Sequence, residues 1–275
     1  MPIQPLITLT TDFGLTEHYV GAMKGVIYGV NPQAQIVDIT NAVQSFDILD
    51  GAVAIFQAYS YFPAGTVHVV VVDPGVGSTR RPILASLGQY LFVAPDNGVL
   101  SLVYEREERI SVRHITGEHY FHQPVSNTFH GRDIFASVAG YLSKGVETTK
   151  FGEEITDYVR FLAPRPKATA PDSWTGVVLK TDKFGNLITN IASRDIPQIF
   201  EPNAAFKISV GKIEITKMRS SYAEGPQGEI FGIVGSSGFL EISTNRGAAS
   251  RMAGADKGSP VTVTVGESAN AGSAK

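Results

Sequence analysis

Apolar and polar positions along the first half of the chain fall into blocks of two kinds. "PLITLTTDFG" (5–14) is a short apolar run that turns polar at Thr10, Thr11 and Asp12 and closes on glycine, the pattern of a strand leaving a sheet. "YVGAMKGVIYGVNP" (19–32) follows with Val20, Met23, Val26 and Ile27 at helical spacing and stops at the Asn31-Pro32 turn. "AQIVDIT" predicts a second strand, "DILDGAVAIFQAYSYF" a helix, and "GTVHVVVVD" a third strand with a nearly unbroken apolar centre. "YLFVAPDNGVLS" adds a strand and a turn, and "TFHGRDIFASVAGYLSKG" a helix opening on His130-Gly131 with Ile134, Val138 and Leu142 inward. Strands alternating with helices predict an α/β fold, a mostly parallel sheet with helices on both faces. Ligands in such sheets sit at the carboxyl ends of strands, where Thr10-Thr11-Asp12 and Asp73-Pro74-Gly75 fall.

The texture changes after "APRPKATAPDS" (163–173), which has three prolines in eleven residues and few large apolar side chains. Beyond it, "WTGVVLKTD", "AAFKISVGKIEITK", "IFGIVGSSGFLEIST" and "SPVTVTV" are short strands between glycine turns. The expected organisation is an N-terminal α/β domain over 1–164, a proline-rich linker over 165–173 and a small C-terminal β-barrel over 174–265. The tail over 266–275 is small and polar and is expected to be disordered.

Composition narrows the chemistry. A formal net charge of −3 over 275 residues gives no electrostatic reason for nucleic acid or an anionic membrane to be the partner, so a small ligand is expected. The absence of cysteine excludes disulfides, thiolate catalysis and Cys-ligated metal sites. The N-terminus lacks the basic region of a secretory signal, and no apolar run approaches a bilayer span, so a cytoplasmic location is expected. His18, His68, His114, His119, His122 and His130 share no metal-ligand spacing, and no metal or cofactor is expected.

Individual residues leave alternatives open. Asp12 suits a helix cap as well as a carboxylate gripping ribose hydroxyls. "DPGVGSTRR" reads either as an anion-binding nest, though without P-loop spacing, or as a turn in which Asp73 and Arg80 pair. His130 stands just before a helix start, with Arg132 and Asp133 in structural positions at its first turn. In "KTDKFGNLITN", Asp182, Phe184 and Asn186 combine an acid, an aromatic ring and an amide around a glycine, which also suits a hairpin turn.

Taken together, "LTTDFG", "VGAMKGVI", "VDIT", "GTVHVVVVDPGVGSTRRPI", "VAPDNGVL", "SNTFHGRDIFA", "TDKFGNLITN" and "GSSGFLEI" resemble, in order and over nearly the whole chain, the S-adenosyl-L-methionine hydrolases (adenosine-forming). These are also called SAM hydroxide adenosyltransferases and are related to the adenosyl fluorinating and chlorinating enzymes. The resemblance implies a homotrimer with active sites between the N-terminal domain of one subunit and the C-terminal domain of the next. It implies hydrolysis of S-adenosyl-L-methionine to adenosine and L-methionine by attack of water at ribose C5′. Asp73, Arg80 and His130 match the triad that holds and polarises that water. Asp12 matches the acid on the ribose hydroxyls, Phe184 and Tyr222 the aromatics around adenine, and Asn186 the amide at its edge. Asp182 and Ser236 match positions that meet the methionine ammonium and carboxylate, Glu241 is a further candidate for the ligand shell, and Phe129 walls the reaction centre. The fluorinating relatives carry tyrosine at the position of Asp73, threonine at that of Arg80, Tyr-Ser at His130-Gly131 and a long insertion that this chain lacks. An adenosyl halogenase on the same scaffold, or a non-catalytic binder of the same ligands, are the alternatives.

Overall fold

The computed structural model describes residues 6–162, 164–201 and 204–266. The chain divides into two compact units, Met1–Ala163 and Pro164–Lys275.

In unit one the elements are β1 (Leu6–Thr11), α1 (Tyr19–Val30), β2 (Gln35–Thr40), α2 (Ile48–Ala58), β3 (Val67–Val71), β4 (Pro82–Leu87), β5 (Tyr90–Pro95), α3 (Ser101–Arg106), β6 (Ile110–His114), α4 (Ser137–Ser143) and β7 (Glu154–Ile155). The sheet order is β2-β1-β3-β5-β4-β6-β7. The first four strands are parallel neighbours, whereas β4 runs antiparallel to both β5 and β6, and β7 antiparallel to β6. Five strands of the seven (β2, β1, β3, β5 and β6) therefore share one direction, and the sheet is mostly parallel. Side chains of β3 alternate between faces: Val69 and Val71 pack with Met23 and Ile27 of α1 and Val138 of α4, while Val70 packs with Ile55 of α2 and Val103 of α3. Two-sided burial explains why β3 reads as a continuous apolar run.

The antiparallel strand β4 is not foreseen within the expected, mostly parallel sheet. "PILASLGQYLFV" is a hairpin in which Leu87 pairs with Tyr90 across Gly88-Gln89, with Gly88 at φ 59. A second departure lies before α4, where Gly131–Ala136 wind as a π-helical turn directly after His130. Such turns are rare and concentrate at functional sites.

Unit two comprises β8 (Lys167–Ala170), β9 (Ser173–Thr181), β10 (Leu187–Ala192), β11 (Phe206–Val210), β12 (Ile213–Ile215), β13 (Met218–Arg219), β14 (Ile230–Val234), β15 (Phe239–Thr244), the short helix α5 (Ala249–Ala253) and β16 (Pro260–Val265). The sheet order is β12-β11-β16-β9-β10-β15-β14-β13, with β8 paired to β9, and the sheet curls into a half-barrel. Curling follows from β9, whose first half pairs with β16 and whose second half pairs with β10. Gly176 sits at the changeover, where a Cβ would lie 2.5 Å from Asn190 Oδ1. Leu187, Ile191, Ile208, Leu240, Ile242, Val261 and Val263 pack together in its core.

The segment expected to be a linker is partly β-structure. Lys167–Ala170 pair with β9, and the carbonyl of Pro164 accepts a 2.8 Å hydrogen bond from Asn190 Nδ2. Of the tail expected to be disordered, Gly266 donates its N–H to Ala205 O at 2.8 Å, and 267–275 lie outside the described residues.

Candidate functional site

Asp73 stands two residues past the end of β3, on a strand terminus pinned by Asn97 Nδ2, which donates to Val72 O at 2.8 Å. The chain then makes two tight turns: Val76 N–H donates to Asp73 O, and Ser78 N–H to Gly75 O. Ser78 Oγ also donates to Gly75 O at 2.6 Å and accepts the Arg80 N–H at 3.3 Å. Gly77 has φ 76, and a Cβ there would fall 2.3 Å from Asn127 O, so only glycine lets this loop lie against the segment before His130. The N–H groups of Val76, Ser78 and Arg80 are thus used within the loop, which favours the paired turn over an anion-binding nest.

The turns bring Arg80 back over Asp73. Arg80 Nε donates to both Asp73 oxygens at 3.0 Å, and Nη2 donates to Oδ2. The same Nη2 lies 2.7 Å from His130 Nδ1. The side chains of Arg80 and Asp73 are only 9% and 5% exposed, and the guanidinium lies over the Phe135 ring, 5.3 Å from its centroid. A charge this buried needs its partners, because removing one leaves the other uncompensated. Arg80 Nη1 is also buried and has no hydrogen-bond partner among the described residues.

His130 enters from the π-helical turn. Burial and the Arg80 charge lower its pKa, opposed by Asp73 and Asp133. Asp133, fully buried, fixes this corner by accepting the Ser126 N–H at 2.8 Å and Arg132 Nε at 2.6 Å. Phe129 is buried and packs edge-on against Phe13 and Tyr19, with centroids 5.9 and 5.2 Å away, and under the Arg132 guanidinium.

Asp12 follows β1 at the same edge of the sheet. Burial raises its pKa, the Phe46 N–H bond lowers it, and the Asp73 charge raises it again. Its Oδ2 accepts that N–H at 2.8 Å, which is not a cap on α1; that helix has no side-chain cap. Phe46 is 73% exposed and has φ 66. Neither Phe46 nor Phe135 stands out in the sequence, because nothing in "VQSFDILD" signals a left-handed backbone and Phe135 reads as ordinary helix core.

The remaining candidates gather in unit two. Asp182–Asn186 form the turn between β9 and β10, with Gly185 at φ 86. Asp182 Oδ1 accepts the N–H groups of Phe184 and Asn186, each at 2.8 Å, and Oδ2 accepts Asn186 Nδ2 at 2.9 Å. This wiring holds the Phe184 ring outward, 73% exposed. Across β10, Ile188 pairs with Glu241 of β15. Glu241 is buried, accepts the Tyr222 hydroxyl at 3.0 Å, and has its pKa raised by burial and by Asp182, against the Tyr222 bond. Tyr222 is pushed up to about 12 by burial and Glu241. Ser236 is exposed in the β14–β15 turn, beside Gly235, where a Cβ would meet the Glu241 carboxylate. Asp182, Phe184, Asn186, Tyr222, Ser236 and Glu241 therefore form one cluster, and Asp12, Asp73, Arg80, Phe129 and His130 another.

Among the described residues no group of three or more His, Cys, Asp or Glu is placed to hold a metal ion, and no helix is long and apolar enough to cross a membrane.

Residues 7–152 match the model of the SAM hydroxide adenosyltransferase N-terminal domain, and residues 176–262 that of the corresponding C-terminal domain. The chain is 36% identical over 265 residues to an (R)-S-adenosyl-L-methionine hydrolase of Methanocaldococcus jannaschii, covering 92% of this chain and 94% of that protein. A fluorinase of an Actinoplanes species is 27% identical over 218 residues, 70% of this chain and 73% of its own. A crystal structure of an uncharacterized conserved protein from Thermotoga maritima superposes with a TM-score of 0.88 at 34% identity, covering 94% of this chain and 99% of that one. On both domain matches and on these relatives, the chain belongs to the SAM hydroxide adenosyltransferase family.

Proposed function

We propose that this chain hydrolyses S-adenosyl-L-methionine to adenosine and L-methionine, water attacking ribose C5′ in line with the departing sulfur. The observation that carries the reading is the buried Asp73–Arg80–His130 chain at the carboxyl end of β3, with Arg80 Nη1 unpartnered among the described residues. A sulfonium leaves as a neutral thioether and needs no acid, so the site has only to supply and orient a nucleophile. Arg80 is permanently charged and offers a fixed donor for an oxygen on which negative charge builds. Asp12 takes the ribose hydroxyls, Phe129 walls the reaction centre, Phe184, Asn186 and Tyr222 hold adenine, and Asp182, Ser236 and Glu241 surround the amino-acid end.

Because these residues lie in two units, the working enzyme is proposed to be a homotrimer in which neighbouring subunits complete each site. A cytoplasmic location, where its substrate is made, goes with this reading. Chromatography of a reaction with S-adenosyl-L-methionine tests it: adenosine and methionine must appear in equal amounts. Repeating the reaction in chloride separates the halogenase alternative, for which 5′-chloro-5′-deoxyadenosine would replace adenosine. Ligand retention without either product would leave only a binding protein.

A further inference from the structure

The contact between Arg80 Nη2 and His130 Nδ1, 2.7 Å, bears on the tautomer of the ring. A guanidinium has five N–H donors and no acceptor, so the partner nitrogen must present a lone pair. Nδ1 of His130 is therefore bare, and a neutral ring with bare Nδ1 carries its proton on Nε2. An imidazolium would set N–H against N–H and cation against cation. The charged groups acting on the ring are Arg80 and Asp73 from the loop after β3 and Asp133 from the π-helical turn, and burial joins Arg80 in favouring the neutral form.

We infer, resting on the hydrolase reading, that His130 is a fixed Nε2–H donor and not the base, and that Oδ1 of Asp73 takes the proton of the attacking water. Neither nitrogen of His130 has a lone pair to spare. Asp73 does: Oδ2 accepts from both Nε and Nη2 of Arg80, whereas Oδ1 accepts from Nε alone and keeps its second lone pair. In the step, a lone pair of water forms the O–C5′ bond, and the C5′–S bond breaks with its electrons passing to sulfur. One water proton moves to Asp73 Oδ1, so a sulfonium and a carboxylate become a neutral thioether, a neutral alcohol and a neutral carboxylic acid. A carboxylate paired with arginine is a weak base, but a weak base suffices, since water that has bonded to carbon is a strong acid. His130 then acts as a positioning residue that holds Arg80 through Nδ1.

Nitrogen-15 NMR of histidine-labelled protein tests the tautomer without reference to turnover. His130 should show a protonated Nε2 and a bare Nδ1 across roughly pH 6 to 8; a protonated Nδ1, in either the neutral ring or the cation, would overturn the inference. His130→Asn supplies a carbonyl oxygen near the place of Nδ1 but no base. Adenosine formation should fall no more than about tenfold in it, whereas Asp73→Asn should lose about 10²- to 10⁴-fold, the usual worth of a positioned base. Equal losses of that size in His130→Asn and His130→Ala would make His130 the base and reject the proposal. If His130→Asn does not fold, the NMR result on the unmodified protein decides alone. Wild-type protein that yields no adenosine from S-adenosyl-L-methionine would reject the hydrolase reading instead, with the tautomer still read from the spectrum.

Discussion

The backbone N–H of Phe46 donates a 2.8 Å hydrogen bond to Oδ2 of Asp12, and Phe46 does so from the left-handed region of backbone space at φ 66. A bulky residue seldom stays there unless its surroundings hold it. Asp12 thus fixes a strained loop beside the proposed ribose site. Asp12→Ala should raise KM roughly 10- to 100-fold, the range expected for hydrogen bonds to a charged group, with a much smaller change in kcat. Steady-state kinetics of adenosine release would check this, and a loss confined to kcat would contradict it.

Arg80→Ala and His130→Ala should show the opposite balance. In the proposed mechanism Arg80 acts on the attacking water and His130 holds Arg80, and neither grips the adenosyl group, so kcat should fall by about 10²-fold or more while affinity, read by calorimetry, changes little. Arg80→Lys should be nearly as damaging, because one ammonium cannot span both Asp73 oxygens and His130 Nδ1. Equal losses of binding and turnover would mark the trio as structural.

What was legible in the sequence depends on how local the signal is. Two-sided burial makes β3 an unmistakable apolar run, and the polar ends of β1 and β3 mark the carboxyl edge of the parallel sheet, where the site is proposed. The strands β4 and β6 escape because "PILASL" and "ISVRH" carry no unbroken apolar run like that of β3, and β4 is turned back against β5 by the Gly88 turn. The π-helical turn has the same apolar spacing as the α-helix it leads into, so periodicity cannot distinguish them. The Asp73–Arg80 pair was open between a nest and a turn, and the choice rests on where the loop N–H groups go, which only coordinates show. Proline content suggests a linker at 165–173, and Lys167–Ala170 within it pair with β9 as an edge strand, one of the places in a sheet that tolerates nearby prolines.

Stability should fall on acidification through His68. This residue is fully buried on β3, bonded through Nδ1 to Thr8 Oγ1 at 2.7 Å and ringed by Tyr59, Phe62, Tyr90 and Phe92. Burial lowers its pKa to about 3, well under the ordinary 6.5. Between those values the unfolded chain binds a proton that the folded one refuses, so stability is full above about pH 6.5 and declines as pH falls towards 3, at roughly 1.4 kcal/mol per unit. Urea unfolding at several pH values should show the slope, and His68→Asn, though less stable throughout, should lack this part of it.

Activity should depend on assembly. Asp12 and the triad lie in one unit and Phe184, Asn186 and Tyr222 in the other, and the proposed trimer completes each site between subunits. Specific activity should therefore drop on dilution in step with loss of the trimer in analytical ultracentrifugation. Undiminished turnover by a monomer would defeat the shared-site arrangement while leaving the chemistry intact.

The stereochemistry at C5′ tests the chemistry itself. If Asp73, Arg80 and His130 present one water for in-line attack, oxygen from labelled water must enter the 5′-hydroxyl of adenosine, and a chirally deuterated C5′ must invert once. Asp73 is also a possible nucleophile, but its Oδ2 is engaged twice by Arg80 and its Oδ1 once, and the side chain is 5% exposed. Attack by its carboxylate would form a covalent ester at C5′, and a second displacement there by water would restore the original configuration. A sulfonium departs readily, so a covalent intermediate would lower no barrier that water cannot already cross. Single inversion with full label in adenosine is the expected result. Net retention would transfer the role of nucleophile from water to Asp73, and adenosine without label would remove water from the reaction altogether.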